Sequence, residues 1–344
     1  MATPTQFPQC SMVTGLPSVS FSTDRGTTVT KTDTELHGLA YTYGLTATPN
    51  ANVLYAFTNA QLFRTNDAGC SWSLVAEDPD ILGQFPPTLA AAGTDRVYIW
   101  SDNRSYTLRY DTATGLTKLK QPADFLGFAV DPANPDHVRA GGSDGAIHES
   151  TDGGVTWNRI GALETSGEII YRYVFDAKDL NHIVAGMTRQ GAFVTHDGGR
   201  TWLRATGIAK GMANVFNFAI SPVDSNYVWA MTIDLAETDT APSFGRYILL
   251  STDGGATYRR VIGETPEVQI VNQPVMVADP VNRDILYFVF GTYFQDYGTD
   301  IYRVDASTNS VLIAHNDYDD VNAIAFSPAD PNVMYLGLEV QEVH

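Results

Sequence analysis

Ser150-Thr151-Asp152-Gly153-Gly154-Val155-Thr156-Trp157 is the stretch on which the reading of the fold turns. It returns as Thr195-His196-Asp197-Gly198-Gly199-Arg200-Thr201-Trp202 and as Ser251-Thr252-Asp253-Gly254-Gly255-Ala256-Thr257-Tyr258. A looser copy is Thr65-Asn66-Asp67-Ala68-Gly69-Cys70-Ser71-Trp72. A fifth, Ser22-Thr23-Asp24-Arg25-Gly26-Thr27-Thr28-Val29, has valine where the others carry an aromatic. The chemistry is that of a tight hairpin. The carboxylate accepts hydrogen bonds from N–H groups of the turn, and the Ser and Thr hydroxyls add more. The glycines permit positive φ. The aromatic opens the next strand and fills space between packed sheets. A calcium loop is the competing reading. It needs several oxygen ligands at alternate positions, and one Asp before Gly-Gly supplies too few.

Outward from these turns lies a second repeated phrase, an apolar strand, a turn of the form Asp/Ser-Pro-x-Asn/Asp, and another apolar strand. Its copies start at Thr48-Pro49-Asn50, Asp131-Pro132-Ala133-Asn134, Ser221-Pro222-Val223-Asp224, Asp279-Pro280-Val281-Asn282 and Ser327-Pro328-Ala329-Asp330, with weaker ones at Asp176-Ala177-Lys178-Asp179 and Gly93-Thr94-Asp95. Proline suits a turn, where its fixed φ helps and its missing N–H costs nothing. Admitting two decayed octapeptides at Asp111 and Asp305, the Asp anchors are 24, 67, 111, 152, 197, 253 and 305, spaced by 43, 44, 41, 45, 56 and 52. A period of roughly 40–50 residues with four short strands per unit marks a propeller. The seventh phrase ends the chain without an octapeptide, and the first octapeptide precedes any phrase. Ser18–Phe21 and Thr27–Lys31 are therefore expected to supply the third and fourth strands of the last blade, removing free sheet edges. The expectation is an all-β chain, residues 1–344 forming a single seven-bladed propeller of four-stranded antiparallel blades. Residues 1–17 form an N-terminal arm and 18–35 the strands that close the last blade.

The octapeptide resembles the Asp-box of sialidase-like and sortilin-like β-propellers. There it joins the third and fourth strands of a blade. The resemblance implies a structural, non-catalytic role for Asp24, Asp67, Asp152, Asp197 and Asp253.

Charge and composition bound the partners. The chain has 344 residues and a formal net charge of −18, which disfavours nucleic acid and anionic membrane surfaces. It holds no apolar run of about 18 residues, so no transmembrane helix is expected. No signal peptide is visible, and Met1-Ala2-Thr3-Pro4-Thr5 reads as a start methionine before a mature N-terminus. Scarce lysine and a surface rich in Thr, Asp, Asn and Gly fit a secreted protein. Two cysteines in so long a chain are either free and buried or joined. The expected topology brings both to the ring seam and favours a Cys10–Cys70 disulfide, which implies an oxidising compartment.

Two insertions break the rhythm, Asp234–Phe244 in blade five and Gly291–Gly298 in blade six, both between second and third strands and so on one face. Long loops on a rigid scaffold are where binding usually lives. Tyr293, Phe294 and Tyr297 are candidate partner contacts; packing on their own blade is the alternative. Asn316-Asp317-Tyr318-Asp319-Asp320 is either a cation loop or a solvated one. The seven histidines show no zinc spacing, and no nucleophile elbow, phosphate loop or dinucleotide fingerprint occurs, so no metal or cofactor is expected.

Two function classes follow. The first is a non-enzymatic, protein-binding propeller. The second is a glycan-active or glycan-binding propeller. Sialidases carry a Tyr/Phe-Arg-Ile-Pro phrase near the first blade; Tyr171-Arg172-Tyr173-Val174 matches it for two residues only, in blade four and without proline. Xyloglucan-cleaving glucanases carry Asp-boxes too, but use two facing propellers. A carboxylate pair on one propeller remains possible in principle, and its separation is spatial. In size, repeats and composition the chain resembles a family of small secreted streptomycete propellers that provoke self-digestion of thermolysin-type metalloproteases. That resemblance implies a secreted metalloprotease as partner and a role as glutamine donor to a transglutaminase. Gln6, Gln9, Gln295 and Gln341, in the arm, a long loop and the tail, are the candidate crosslinking positions.

Overall fold

The computed structural model describes residues 7–34, 42, 44–58, 60–78, 87–101, 105–209, 211–271, 275–291, 299–316 and 320–339. Among them are 27 strands and no helix. After β1 (Val19–Ser22), the strands fall into successive antiparallel sheets. Blade one is β2 (Gly44–Ala47), β3 (Leu54–Phe57), β4 (Gln61–Thr65) and β5 (Ser73–Glu77). Blade two is β6 (Thr88–Ala91), β7 (Arg96–Trp100), β8 (Tyr106–Asp111) and β9 (Gly115–Lys120). Blade three is β10 (Phe125–Asp131), β11 (Asn134–Gly142), β12 (Ala146–Ser150) and β13 (Asn158–Ala162). Blade four is β14 (Ile170–Phe175), β15 (Ile183–Met187), β16 (Gly191–Thr195) and β17 (Leu203–Arg204). Blade five is β18 (Ala213–Ile220), β19 (Val228–Asp234), β20 (Arg246–Ser251) and β21 (Arg259–Gly263). Blade six is β22 (Met276–Ala278), β23 (Ile285–Gly291), β24 (Thr299–Asp305) and β25 (Ser310–Asn316). Blade seven joins β26 (Asp320–Phe326), β27 (Met334–Glu339) and β1.

The blades form a ring. Their innermost strands touch in succession, β2 with β6, β6 with β10, β10 with β14, β14 with β18 and β18 with β22, while β26 meets β23 of blade six on one side and β2 on the other. Each sheet is covered on both faces by its neighbours, so second strands read as unbroken apolar runs. Val228-Trp229-Ala230-Met231 is buried throughout. The cores lie between blades: Trp229, Met231, Ile248 and Leu250 of blade five pack with Leu286, Phe288 and Tyr302 of blade six. Burying one such side chain contributes about 1.5–3 kcal/mol. Tyrosines on second strands also reach across the joints. The Tyr55 hydroxyl donates to Thr94 O at 3.0 Å, that of Tyr98 to Pro135 O at 2.9 Å, and that of Tyr335 to Ala68 O at 3.0 Å.

Blade seven closes the ring with one departure from expectation. β1 pairs with β27, Val19 opposite Gly337 and Ser22 opposite Met334. Thr27–Lys31 does not continue as a fourth strand. One backbone bond from Thr30 N to Phe21 O, 2.9 Å, is what remains of that pairing. The following backbone is spent on the N-terminal arm instead: Val13 N donates to Lys31 O at 3.0 Å, and Asp33 N to Val13 O at 2.8 Å. The arm in turn zips onto blade one through Thr14 N to Cys70 O, 2.9 Å, and Trp72 N to Thr14 O, 3.0 Å. Cys10 and Cys70 are joined in a disulfide beside this zipper, with Cα atoms 5.8 Å apart. An Arg25–Asp279 ion pair at 3.0 Å ties blade seven to blade six.

Candidate functional site

The two ends of the ring are built differently. At one end lie the connections between first and second and between third and fourth strands. In the five octapeptides the Asp side chain is consumed by its own turn. Asp152 accepts from Ser150 Oγ at 2.7 Å, Thr156 N at 2.9 Å and Thr156 Oγ1 at 2.6 Å, while Gly154 N donates to Ser150 Oγ at 2.8 Å. Asp197, Asp253 and Asp67 repeat the pattern with Thr201, Thr257 and Ser71. Asp24 does so as well, with Thr28 N and Oγ1 both at 2.8 Å, although its copy lacks the aromatic. These bonds hold Asp152 and Asp197 at about 2, well below the ordinary 3.8, the threonine hydroxyl of each turn being the largest cause. Gly199 shows why glycine is required: its φ is +89°, and a Cβ there would lie 2.5 Å from Ile147 Cγ1. The Pro-bearing turns use the same device, Asp279 Oδ1 accepting from Val281 N and Asn282 N, both at 2.9 Å.

At the opposite end lie the second-to-third-strand connections and the crossings between blades. Residues 235–245 leave β19 and are pinned from outside the loop. Arg260 of β21 bonds Asp234 at 3.0 Å and Glu237 at 2.9 Å and lies 3.8 Å over the Tyr247 ring. Phe244, near the end of this loop, is 46% exposed. Tyr293, Phe294, Tyr297 and Gln295 lie outside the described residues, as do Gln6, Gln341 and residues 317–319 of the acidic stretch. Gln9 is described and exposed. No group of three or more metal-type side chains is present among the described residues.

A cavity of about 500 Å³ occupies the ring's centre and takes lining residues from the innermost strand of every blade. Its lining is set by bulges. In β10, β14, β18 and β26 the register with the second strand skips one residue, respectively Leu126, Tyr171, Phe216 and Asn322. A bulge bends the strand and re-aims side chains; Leu126, Tyr171 and Asn322 all line the cavity, and Asn217 follows Phe216 into it. Arg172, directly after the blade-four bulge, is the sole charged residue of the described lining. Its guanidinium lies 5.9 Å from the ring centroid of Trp100, which is stacked on Phe128 at 6.5 Å. Burial pushes the Tyr173 hydroxyl well above its usual range, and burial with nearby Glu168 raises that of Tyr171. No carboxylate is part of the described lining, so the paired acids that a glycosidase needs are not found there. Sequence reasoning noted Tyr171-Arg172 only as an imperfect sialidase phrase, and missed Trp100 altogether. A bulge leaves no mark in a string of residues.

The comparisons with known proteins agree with this picture of a propeller. No family model matches the chain. Among solved structures, the xyloglucanase of glycoside hydrolase family 74 from Xanthomonas campestris superposes with a TM-score of 0.62 at 18% identity, covering 87% of this chain and 51% of that one. The family-74 enzyme of Niastella koreensis gives 0.62 at 16% identity, with 88% and 52% covered. The chain thus spans about half the length of these enzymes. YCF48 from Cyanidioschyzon merolae gives 0.57 at 12% identity, covering 87% of this chain and 95% of that one. At such identities the likeness is one of fold. A far nearer relative is the dispase autolysis-inducing protein of Streptomyces mobaraensis, 45% identical over 343 residues, which span 98% of this chain and 90% of that protein. On that identity and coverage, the chain belongs to the family of the dispase autolysis-inducing protein.

Proposed function

We propose that this chain is a secreted, non-enzymatic inducer of autolysis in dispase-like, thermolysin-type metalloproteases. The observation that carries the reading is the 45% identity to the S. mobaraensis protein across almost the whole chain. A central cavity whose described lining lacks carboxylates, on a scaffold whose repeated octapeptide Asp residues are spent on turns, supports binding over hydrolysis. The Cys10–Cys70 disulfide supports an oxidising, extracellular setting. In the proposed mechanism an apolar surface of the loop-bearing face, with Phe244 and the 291–298 loop, engages the protease and favours an opened state that other protease molecules cleave.

The test mixes the purified chain with a thermolysin-type protease and follows intact protease on a gel. Faster loss than in the protease alone is expected. That loss must stop when the protease's own active site is inhibited; continued loss under inhibition would make this chain the hydrolase and overturn the reading. Unchanged persistence of the protease would also overturn it. The transglutaminase role is proposed for Gln9, exposed in the arm, and for Gln6, Gln295 and Gln341. Labelling with a fluorescent amine donor by a microbial transglutaminase, followed by peptide mapping, is expected to find adducts there and not at buried Gln121.

A further inference from the structure

We propose that His137 is a pH-sensitive clasp: its imidazolium bridges Asp131 and Glu149, holds the turn end of blade three against blade two, and lets go as the ring loses its proton. Three observations carry this. The first is the irregular strand on which the ring sits. Between β10 and β11 the register runs Val130 opposite Val138 and then Asp131 opposite Asn134, so Pro135, Asp136 and His137 are looped out of the ladder. Blade two grips that looped segment. Pro135 O accepts from the Tyr98 hydroxyl at 2.9 Å and from Arg96 Nη1 at 3.2 Å, and Arg96 also pairs with Asp136. Asp136 O accepts from Gly153 N of the octapeptide turn at 2.8 Å.

The second is the geometry at the ring. Nδ1 lies 2.8 Å from Asp131 Oδ2, and Nε2 lies 2.9 Å from Glu149 Oε1. Two carboxylate acceptors call for two N–H donors, and only the imidazolium has both. A neutral ring carries one donor and one lone pair, so it leaves one of the carboxylates facing a lone pair. At the same six-residue offset in blade four, His182 places Nδ1 3.3 Å from Asp176 Oδ2, but its Nε2 meets a carbonyl, Gly254 O, at 2.8 Å. Among the described residues, a carboxylate at each ring nitrogen is peculiar to His137.

The third is the charge around the ring. Asp131 faces it from β10, Glu149 from β12 and Arg139 from β11, while Asp136 beside it is paired with Arg96 of blade two. Arg139 also donates to Glu149 Oε1 at 2.9 Å and to Asn181 Oδ1 of blade four at 2.9 Å, so the network reaches the next joint. Partial burial works against a charged His137, yet the bonds to Asp131 and Glu149 outweigh burial and the Arg139 charge and raise its pKa above the ordinary 6.5. Asp131 is held below its usual range, by the His137 bond first. Burial works against the Glu149 carboxylate, but bonds from His137 and Arg139 keep it below its usual range too. A histidine raised in the folded chain contributes stability that is complete below about pH 6.5 and is lost as pH rises through the folded value.

The test reads the ring and its consequence in the full chain. NMR of the assigned His137 Cε1–H gives the titration midpoint, expected above the ordinary histidine value of about 6.5. The Gly153 N–H reports what the clasp does, because its acceptor, Asp136 O, belongs to the looped segment. Its hydrogen-exchange protection, corrected for intrinsic exchange, is expected to be severalfold higher at about pH 5.5 than at about pH 8.5. His137→Gln has no proton to lose in this range and is expected to abolish that difference. Asp131→Asn keeps an oxygen for the 2.8 Å bond from Ala133 N and removes one of the two charges. It is expected to lower the His137 midpoint. The proposal is overturned if His137 of the unmodified chain titrates at or below the ordinary value, if Gly153 protection is the same at both pH values, or if the difference persists in His137→Gln. Circular dichroism verifies that each variant is folded, and the first two readings need no variant.

Discussion

The turn-bearing end of the ring and the loop-bearing end use the same residue types to opposite effect. At the turn end the carboxylate of each octapeptide Asp reaches no further than four residues along its own chain, as that of Asp253 does to Thr257 N at 2.8 Å. At the loop end Asp234 and Glu237 are held by Arg260, 26 and 23 residues away. The first arrangement is a local device that repeats wherever its short motif repeats. The second exists once, because it depends on two strands arriving side by side. The lesson is that repetition here marks scaffold, while whatever distinguishes this propeller from another sits where repetition fails.

The seam offers the largest way to probe the scaffold half of that contrast. Cys10→Ser together with Cys70→Ser opens a crosslink spanning 60 residues. A loss of about 3 kcal/mol or more is expected in denaturant unfolding, with the arm then cleaved first in limited proteolysis. An unchanged midpoint would show that the backbone zipper at Val13 and Thr14 holds the seam unaided.

Next in size is the difference between an intact and a decayed turn. Asp197→Ala removes three hydrogen bonds to a carboxylate and is expected to cost about 2 kcal/mol. Asp111→Ala, in the decayed copy of blade two, removes half-buried ion pairs to Arg96 at 2.9 Å and Arg109 at 3.6 Å and is expected to cost about 1 kcal/mol or less. Equal costs would mean that the octapeptide contributes nothing beyond an ordinary tight hairpin.

Acid sharpens the same contrast. Asp152 and Asp197 are held at about 2 in the folded chain against 3.8 ordinarily, by the Thr156 and Thr201 hydroxyls first and backbone N–H groups next. A depressed folded pKa means that the unfolded chain binds more protons in the interval between the two values. The stability these groups contribute is therefore complete above about pH 4 and is lost as pH falls toward about 2. Urea titrations across that window are expected to show a shallower acid dependence in Asp152→Ala than in the parent.

The smallest stability effect and a large functional one are expected at the loop end. Phe244→Ala removes a ring that is 46% exposed and should leave the urea midpoint within about 0.5 kcal/mol of the parent. The same change should slow protease autolysis in the gel assay. A variant as active as the parent would move the contact surface away from this loop.

How much of this was legible in the sequence follows from how local each feature is. The octapeptides, the Pro-bearing turns and the apolar second strands involve neighbours within a few residues, so a string of letters carries their signatures. Their count and order were enough to expect seven blades and closure by the N-terminal strand. The Cys10–Cys70 bond followed from that closure rather than from either cysteine's surroundings. The expected fourth strand at Thr27–Lys31 shows the limit. Its backbone groups had two suitors, Phe21 and the arm at Val13, and only packing selected the arm. The central cavity lies further beyond reach. Tyr171, Arg172 and Asn322 reach the axis because single-residue bulges shift the register of inner strands, and a bulge is decided by how neighbouring blades crowd the backbone. Sequence by itself determined the repeating scaffold, whose bonds are short-range. Tertiary structure alone decided which side chains meet at the centre, because those seven strands are far apart in the chain and adjacent only in the closed ring.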